Sequence, residues 1–124
     1  MDIALWVVAG LLALLYLAVG VVKLVRGRRG LADRMPWVED FGDLVVRFVG
    51  LCEIAGAVGL ILPWATGRVP VLTPVAAACL VVLQVLAISV HVRRRETSQL
   101  GINVLLALLA AFVAVGRFAD VLAA

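Results

Sequence analysis

Apolar positions fall into four long blocks separated by short polar stretches. Residues 3–22 form twenty positions without a charge, enough to cross a hydrocarbon core of about 30 Å as a helix. A second block, 44–62, carries Arg47 near its start and Glu53 in its middle. The third begins around 69–75 and runs to 92, with Pro70 and Pro74 in its first turns, where a missing N–H does little harm. The fourth, 100–119, holds Asn103 and Arg117 near its ends, and its uninterrupted apolar stretch, 104–116, is short. The pattern predicts one all-α domain over residues 1–124, an integral membrane four-helix bundle of up-down topology. Its spans are expected at about 3–25, 44–62, 70–92 and 100–119, with an interfacial linker at 26–43.

Composition closes off the soluble alternatives. Hydrophobic residues make up 65% of the chain and charged ones 15%, and mean hydropathy is +1.19. A core of this size cannot hide that much Leu, Val and Ala from water. Two cysteines do not make a disulfide framework. The first block reads as a permanent span rather than a cleaved signal peptide, because only Met1 and Asp2 precede it while Lys23, Arg26, Arg28 and Arg29 follow.

Charge suggests the orientation. Four crossings place the linkers 26–43 and 93–99 on one side, with both termini and the 63–74 turn on the other. Nine of the eleven Lys and Arg residues fall on the first side, and only Arg68 and Arg117 on the second. Positive-inside bias therefore predicts cytoplasmic basic loops, with the N- and C-termini outside a bacterial-type plasma membrane. Trp6 and Trp64 are expected at the outer interface, Trp37 at the inner one and Arg117 as an outer-surface anchor. The formal charge of +3 is then a matter of topology, and no nucleic-acid partner is expected. Within the long linker, Met35, Trp37, Val38 and Phe41 mix with charged residues. That segment either lies in the interface, caps the mouth of the bundle, or is a solvated turn around Pro36.

Each block also carries one small, polar stripe at helical spacing. The first has Ala9, Ala13, Tyr16, Gly20 and Lys23; the second has Gly50, Glu53, Gly56, Ala57 and Leu60. The third has Ala77, Gln84, Ala87 and His91, and the fourth has Asn103, Ala107, Ala110, Ala114 and Arg117. Such stripes belong inside the bundle, and the Leu, Val and Ile faces belong against lipid. At 1.5 Å per residue Glu53 lies roughly 13 Å into its helix, near mid-membrane, with Gln84, Lys23, His91 and Asn103 towards the basic-loop side. These positions predict a pocket opening on that side.

Glu53 and His91 are the catalytic candidates, since an unpaired ionisable group in lipid is costly and an imidazole titrates near neutrality. Lys23, Tyr16, Gln84 and Asn103 are the ligand-binding candidates. Each has a plainer reading. Glu53 could be a neutral carboxyl bonded to a neighbouring helix, and His91 an idle interfacial residue. Lys23 could snorkel, Gln84 and Asn103 could be interhelical glue, and Tyr16 could simply pack. No HxxxH or CxxC spacing supports a metal or thiol centre, and Cys52 and Cys79 lie off the polar stripes. No cofactor is evident, although a quinone is one ligand such a pocket could take. The expected partners are the bilayer, a lipophilic small molecule, and a soluble subunit or a second copy.

Several strings resemble the DoxX-like family of small membrane proteins. Gly20, Lys23 and Leu24 are similar to the GxxKL closing its first helix. Residues 50–63, GLCEIAGAVGLILP, resemble its GxxExxGAxGLxLP, and residues 70–77, PVLTPVAA, its PxLTPxAA. His91 with Arg93 and Arg94 resembles HxRR, and Gly116 with Arg117 the GR pair closing the fourth helix. The resemblance implies a compact four-helix membrane protein, and its members have proposed roles in quinone-linked sulfur or thiol oxidation or as chaperones. Two functions of different class are therefore expected. One is lipophile binding with redox-associated or acid–base chemistry centred on Glu53. The other is a non-catalytic anchor, chaperone or assembly subunit docking a soluble partner through its basic loops.

Overall fold

In the computed structural model, which describes residues 1–31, 35, 36 and 40–123, each apolar block is one helix. They are α1 (Asp2–Leu31), α2 (Asp43–Thr66), α3 (Leu72–Arg93) and α4 (Leu100–Ala123), and a 3-10 turn (Thr97–Gln99) leads into α4. All four are long and apolar enough to cross a membrane. Outward-facing Leu11, Leu14, Val25, Val82, Leu86, Leu105 and Leu108 are more than half exposed, as lipid-facing residues must be. Trp37 and Val38 lie outside the described residues.

The helices outrun the apolar blocks at several ends, for identifiable reasons. α2 continues through Pro63 to Thr66. A proline there has no N–H for the carbonyl of Gly59, four residues back, which in lipid must find another donor. Thr73 of α3 supplies it: its hydroxyl donates to the Gly59 carbonyl at 2.8 Å, and its side chain is fully buried. The helix therefore crosses its own proline with the backbone satisfied. Thr73→Val keeps the shape but orphans that carbonyl. It is expected to lower stability by about 1–2 kcal/mol, read as a lower melting temperature in detergent. α3 begins at Leu72, so Pro70 lies in the preceding turn and only Pro74 stands in the first turn.

The inward stripes contain Ala9, Tyr16, Gly20 and Lys23 on α1, and Gly50, Glu53, Gly56, Ala57 and Leu60 on α2. α3 buries Ala77, Leu80, Gln84 and His91, and α4 buries Asn103, Ala110, Val113, Ala114 and Arg117. α1 packs chiefly on α2, and α3 on α4. Where α1 crosses α2 the backbones touch: a methyl added at Gly50 would lie 2.6 Å from the Gly20 carbonyl oxygen, and one at Gly20 would lie 2.7 Å from that of Gly50. Towards the termini, α2 meets α3 at Gly56 and Gly59, and α1 meets α4 where Leu5 fills the space beside Gly116. The two pairs thus join at the end carrying the termini and part at the end carrying the linker. Between these levels lies an apolar layer that includes Leu12, Ala57, Leu60, Leu80, Ala110 and Val113.

Candidate functional site

The gap where the two helix pairs part is a cavity of about 600 Å³. Its walls are mostly apolar, with Val19, Val49, Leu83 and Leu106 among them. All six sequence-derived candidates line it: Tyr16 and Lys23 from α1, Glu53 from α2, Gln84 and His91 from α3, and Asn103 from α4. Met35, Pro36 and Phe41 of the linker line it too, so this part of the segment walls the cavity rather than forming a detached turn. Leu15, Val45, Leu86 and Ile102 both line the cavity and show on the outer surface, giving it an apolar lateral rim.

Crossing of α1 and α2 at Gly20 and Gly50 brings Lys23 against Glu53, and the two form a buried ion pair. An ammonium and a carboxylate at this depth are tolerable because each neutralises the other. Beside this pair, the Gln84 side-chain N–H donates to the Tyr16 hydroxyl at 2.6 Å. That leaves Gln84 Oε1 buried with no hydrogen-bond partner, and Asn103 Nδ2 likewise. Exchanging the two atoms of the Gln84 amide leaves its nitrogen unmet instead, so one polar atom stays unsatisfied either way.

His91 meets its hydrogen-bond partner through a turn that sequence spacing does not reveal. Arg95 takes a left-handed conformation (φ 59), which folds the chain back so that Glu96 returns to His91. Glu96 Oε1 then lies 3.1 Å from His91 Nδ1 and accepts from Arg94 Nε, also at 3.1 Å. Arg94 reaches across to Asp40 of the linker at 2.8 Å. The hydrogen bond that Arg94 donates to Asp40, with Glu96 adding its negative charge, holds the guanidinium pKa above its ordinary value, so it remains charged. Glu96 is thus a cavity residue that helical periodicity could not find, because it lies beyond the helix end.

Arg117 is not the surface anchor that its position near a helix end suggests. Only 1% of it is exposed. Its guanidinium sits over the rings of Trp64, at 4.4 Å, and Trp6, at 5.3 Å, and Nη1 donates to Asp2 at 2.7 Å and Asp120 at 3.1 Å. Trp6 and Trp64 form a clamp around this cation, closing the end of the bundle opposite the cavity. Cys52 and Cys79 are free and exposed. No group of three or more metal-ligating side chains occurs among the described residues.

The pattern of the DoxX-like family matches residues 7–113, most of the chain. The chain belongs to the DoxX-like family. It is an integral membrane protein of that family, with four apolar helices. The matched stretch includes every cavity-lining candidate and ends short of Gly116 and Arg117. No curated protein and no solved structure matches the chain.

Proposed function

We propose that this DoxX-like protein binds a lipophilic small molecule, quinone- or polyprenoid-like, in the cavity, with its polar head at Gln84 and Asn103. The observation carrying this reading is a cavity of about 600 Å³, within the usual size of ligand sites, that holds two buried polar atoms without partners. An unmet buried donor or acceptor costs about 1–3 kcal/mol, which a head group offering both functions would remove. The apolar rim of Leu15, Val45, Leu86 and Ile102 supports entry from the bilayer, with the tail left along the lipid-facing surface. A quinone fits the exchanged Gln84 amide: the Tyr16 hydroxyl would donate to Gln84 Oε1, the Gln84 and Asn103 N–H groups would hold the two carbonyl oxygens, and its redox chemistry would need an electron-carrying partner.

Glu53 is the proton-handling group of this reading. Its carboxyl group takes the hydroxyl proton of a quinol as the partner removes the electrons, or adds a proton to an isoprenoid double bond and removes one from the adjacent carbon, while Lys23 balances the carboxylate charge; His91 handles protons nearer the linker. In this reading the basic loops face the cytoplasm of a bacterial-type plasma membrane.

The test begins with the protein purified in mild detergent and incubated with a decyl-tailed benzoquinone or with farnesol. Wild type is expected to bind one of them, and Gln84→Leu/Asn103→Leu to bind it at least about tenfold more weakly. In heavy water, carbon-bound deuterium should enter the isoprenoid with wild type and not with Glu53→Gln. Retention of full exchange by Glu53→Gln would remove the acid–base role, and failure to bind any lipophile would remove the whole reading. A second reading, docking of a soluble partner, draws support from exposed Arg93 and Arg95 at the linker end. A soluble subunit co-purifying in stoichiometric amount with a lipophile-free protein would favour it.

A further inference from the structure

A second concave site lies outside the cavity, where α1 breaks. Gly27 has φ 63 and ψ −163, and it ends the membrane-spanning part of α1, Asp2–Gly27. The break frees the Leu24 carbonyl, which an unbroken helix would bond to the N–H four residues on. Arg47 of α2 takes it: Nη1 donates to the Leu24 carbonyl at 2.7 Å, while Nε donates to Asp43 at 2.8 Å. Two bonds hold this guanidinium in place. Arg26 and Arg29, on either side of the break, line the same notch with Arg47 and Asp43. Both are exposed, and neither has a carboxylate partner among the described residues.

The charge count points to an anion. Asp43 pairs with Arg47, so among the described residues two guanidiniums stay unbalanced in one concave space. Guanidinium forks match the oxygens of a phosphate, and a residue already fixed by its neighbours loses little freedom on binding. Depth points to where that phosphate comes from. The span of α1 ends at Gly27 and that of α2 begins at Asp43, so the notch lies at the polar boundary of the membrane. Val25 and Leu44 beside it are exposed apolar residues, on which acyl chains can lie.

We propose that the notch formed by Arg26, Arg29 and Arg47 at the Gly27 break binds the phosphodiester of an anionic phospholipid. A zwitterionic lipid brings its own cation into the same basic space and is disfavoured. The site is independent of the cavity and of whatever the cavity holds. It sits at the junction from which the linker departs, so a bound lipid would tie α1, α2 and the start of the linker to one head group.

The test is native mass spectrometry of the full chain released from phosphatidylcholine vesicles containing a minor fraction of phosphatidylglycerol. Wild type should retain phosphatidylglycerol enriched about tenfold over its share of the vesicle. Arg26→Gln/Arg29→Gln should retain the two lipids in their vesicle ratio. Arg68→Gln/Arg95→Gln, which removes the same charge from exposed positions elsewhere, should keep the wild-type preference. Equal retention of both lipids by wild type would overturn the proposal. So would an unchanged preference in Arg26→Gln/Arg29→Gln, or an equal loss in the charge-matched control. Added inorganic phosphate should leave the retained lipid in place. If it displaces the lipid, the notch is a free-phosphate site and the lipid assignment falls.

Discussion

Lys23→Met is expected to cost about 3–5 kcal/mol of stability, because it leaves the Glu53 carboxylate without its counter-ion in the membrane interior. Glu53 is 2% exposed and Lys23 9%, so water cannot take over the role of the missing partner. Lys23→Met/Glu53→Gln should recover most of the loss, since a neutral amide replaces the stranded charge. Both single variants and the double variant would be compared by steric trapping or thermal denaturation in the same detergent. The deciding quantity is the coupling between the two substitutions. Additive effects would mean that the two groups do not act as a pair. This measurement is separate from the ligand experiment: the pair can hold the bundle together whether or not a guest occupies the cavity.

Arg117→Met should cost about 2–4 kcal/mol, through a different mechanism. Its partners Asp2 and Asp120 are exposed, 68% and 44% on their side chains, so removing the arginine strands no buried carboxylate. What is lost is a cation stacked against two indole rings and the volume it fills between α1, α2 and α4. Arg117→Lys keeps the charge but not the flat guanidinium, and should recover less than half of the loss. Trp64→Leu, which removes the nearer ring, should cost about 1 kcal/mol. Melting temperatures of the four proteins in one detergent check the order; an Arg117→Lys protein as stable as wild type would show that charge alone is used.

Much of the fold was legible because lipid imposes a simple rule on each face of a helix. Ala9, Tyr16, Gly50, Glu53, Gln84 and Asn103 are too small or too polar to face acyl chains, and their spacing of three and four marks the inward side. The six site candidates could be placed on common stripes for the same reason. What periodicity could not convey was pairing across helices. Nothing in sequence separates Gln84 bonded to Tyr16 from Gln84 bonded to Asn103, because that depends on how the stripes face one another. Glu96 escaped because the left-handed Arg95 reverses the chain beyond the helix end. Arg117 was misjudged because proximity to a helix terminus was read as exposure; Trp6 and Trp64, from two other helices, cover it. Pro63 was expected to lie at the end of a span, and only the position of Thr73 on the neighbouring helix shows why α2 continues through it.

The closed end of the bundle limits what one molecule can accomplish. Leu12, Leu60, Leu80 and Val113 fill the interior beneath the cavity, and beyond them the two indoles grip Arg117. In the proposed reading, a guest seated at Gln84 and Asn103 would meet this plug and leave by the way it came. On that reading a single copy would be a cul-de-sac rather than a conduit, and net passage of cargo from one leaflet to the other would require a route outside this bundle.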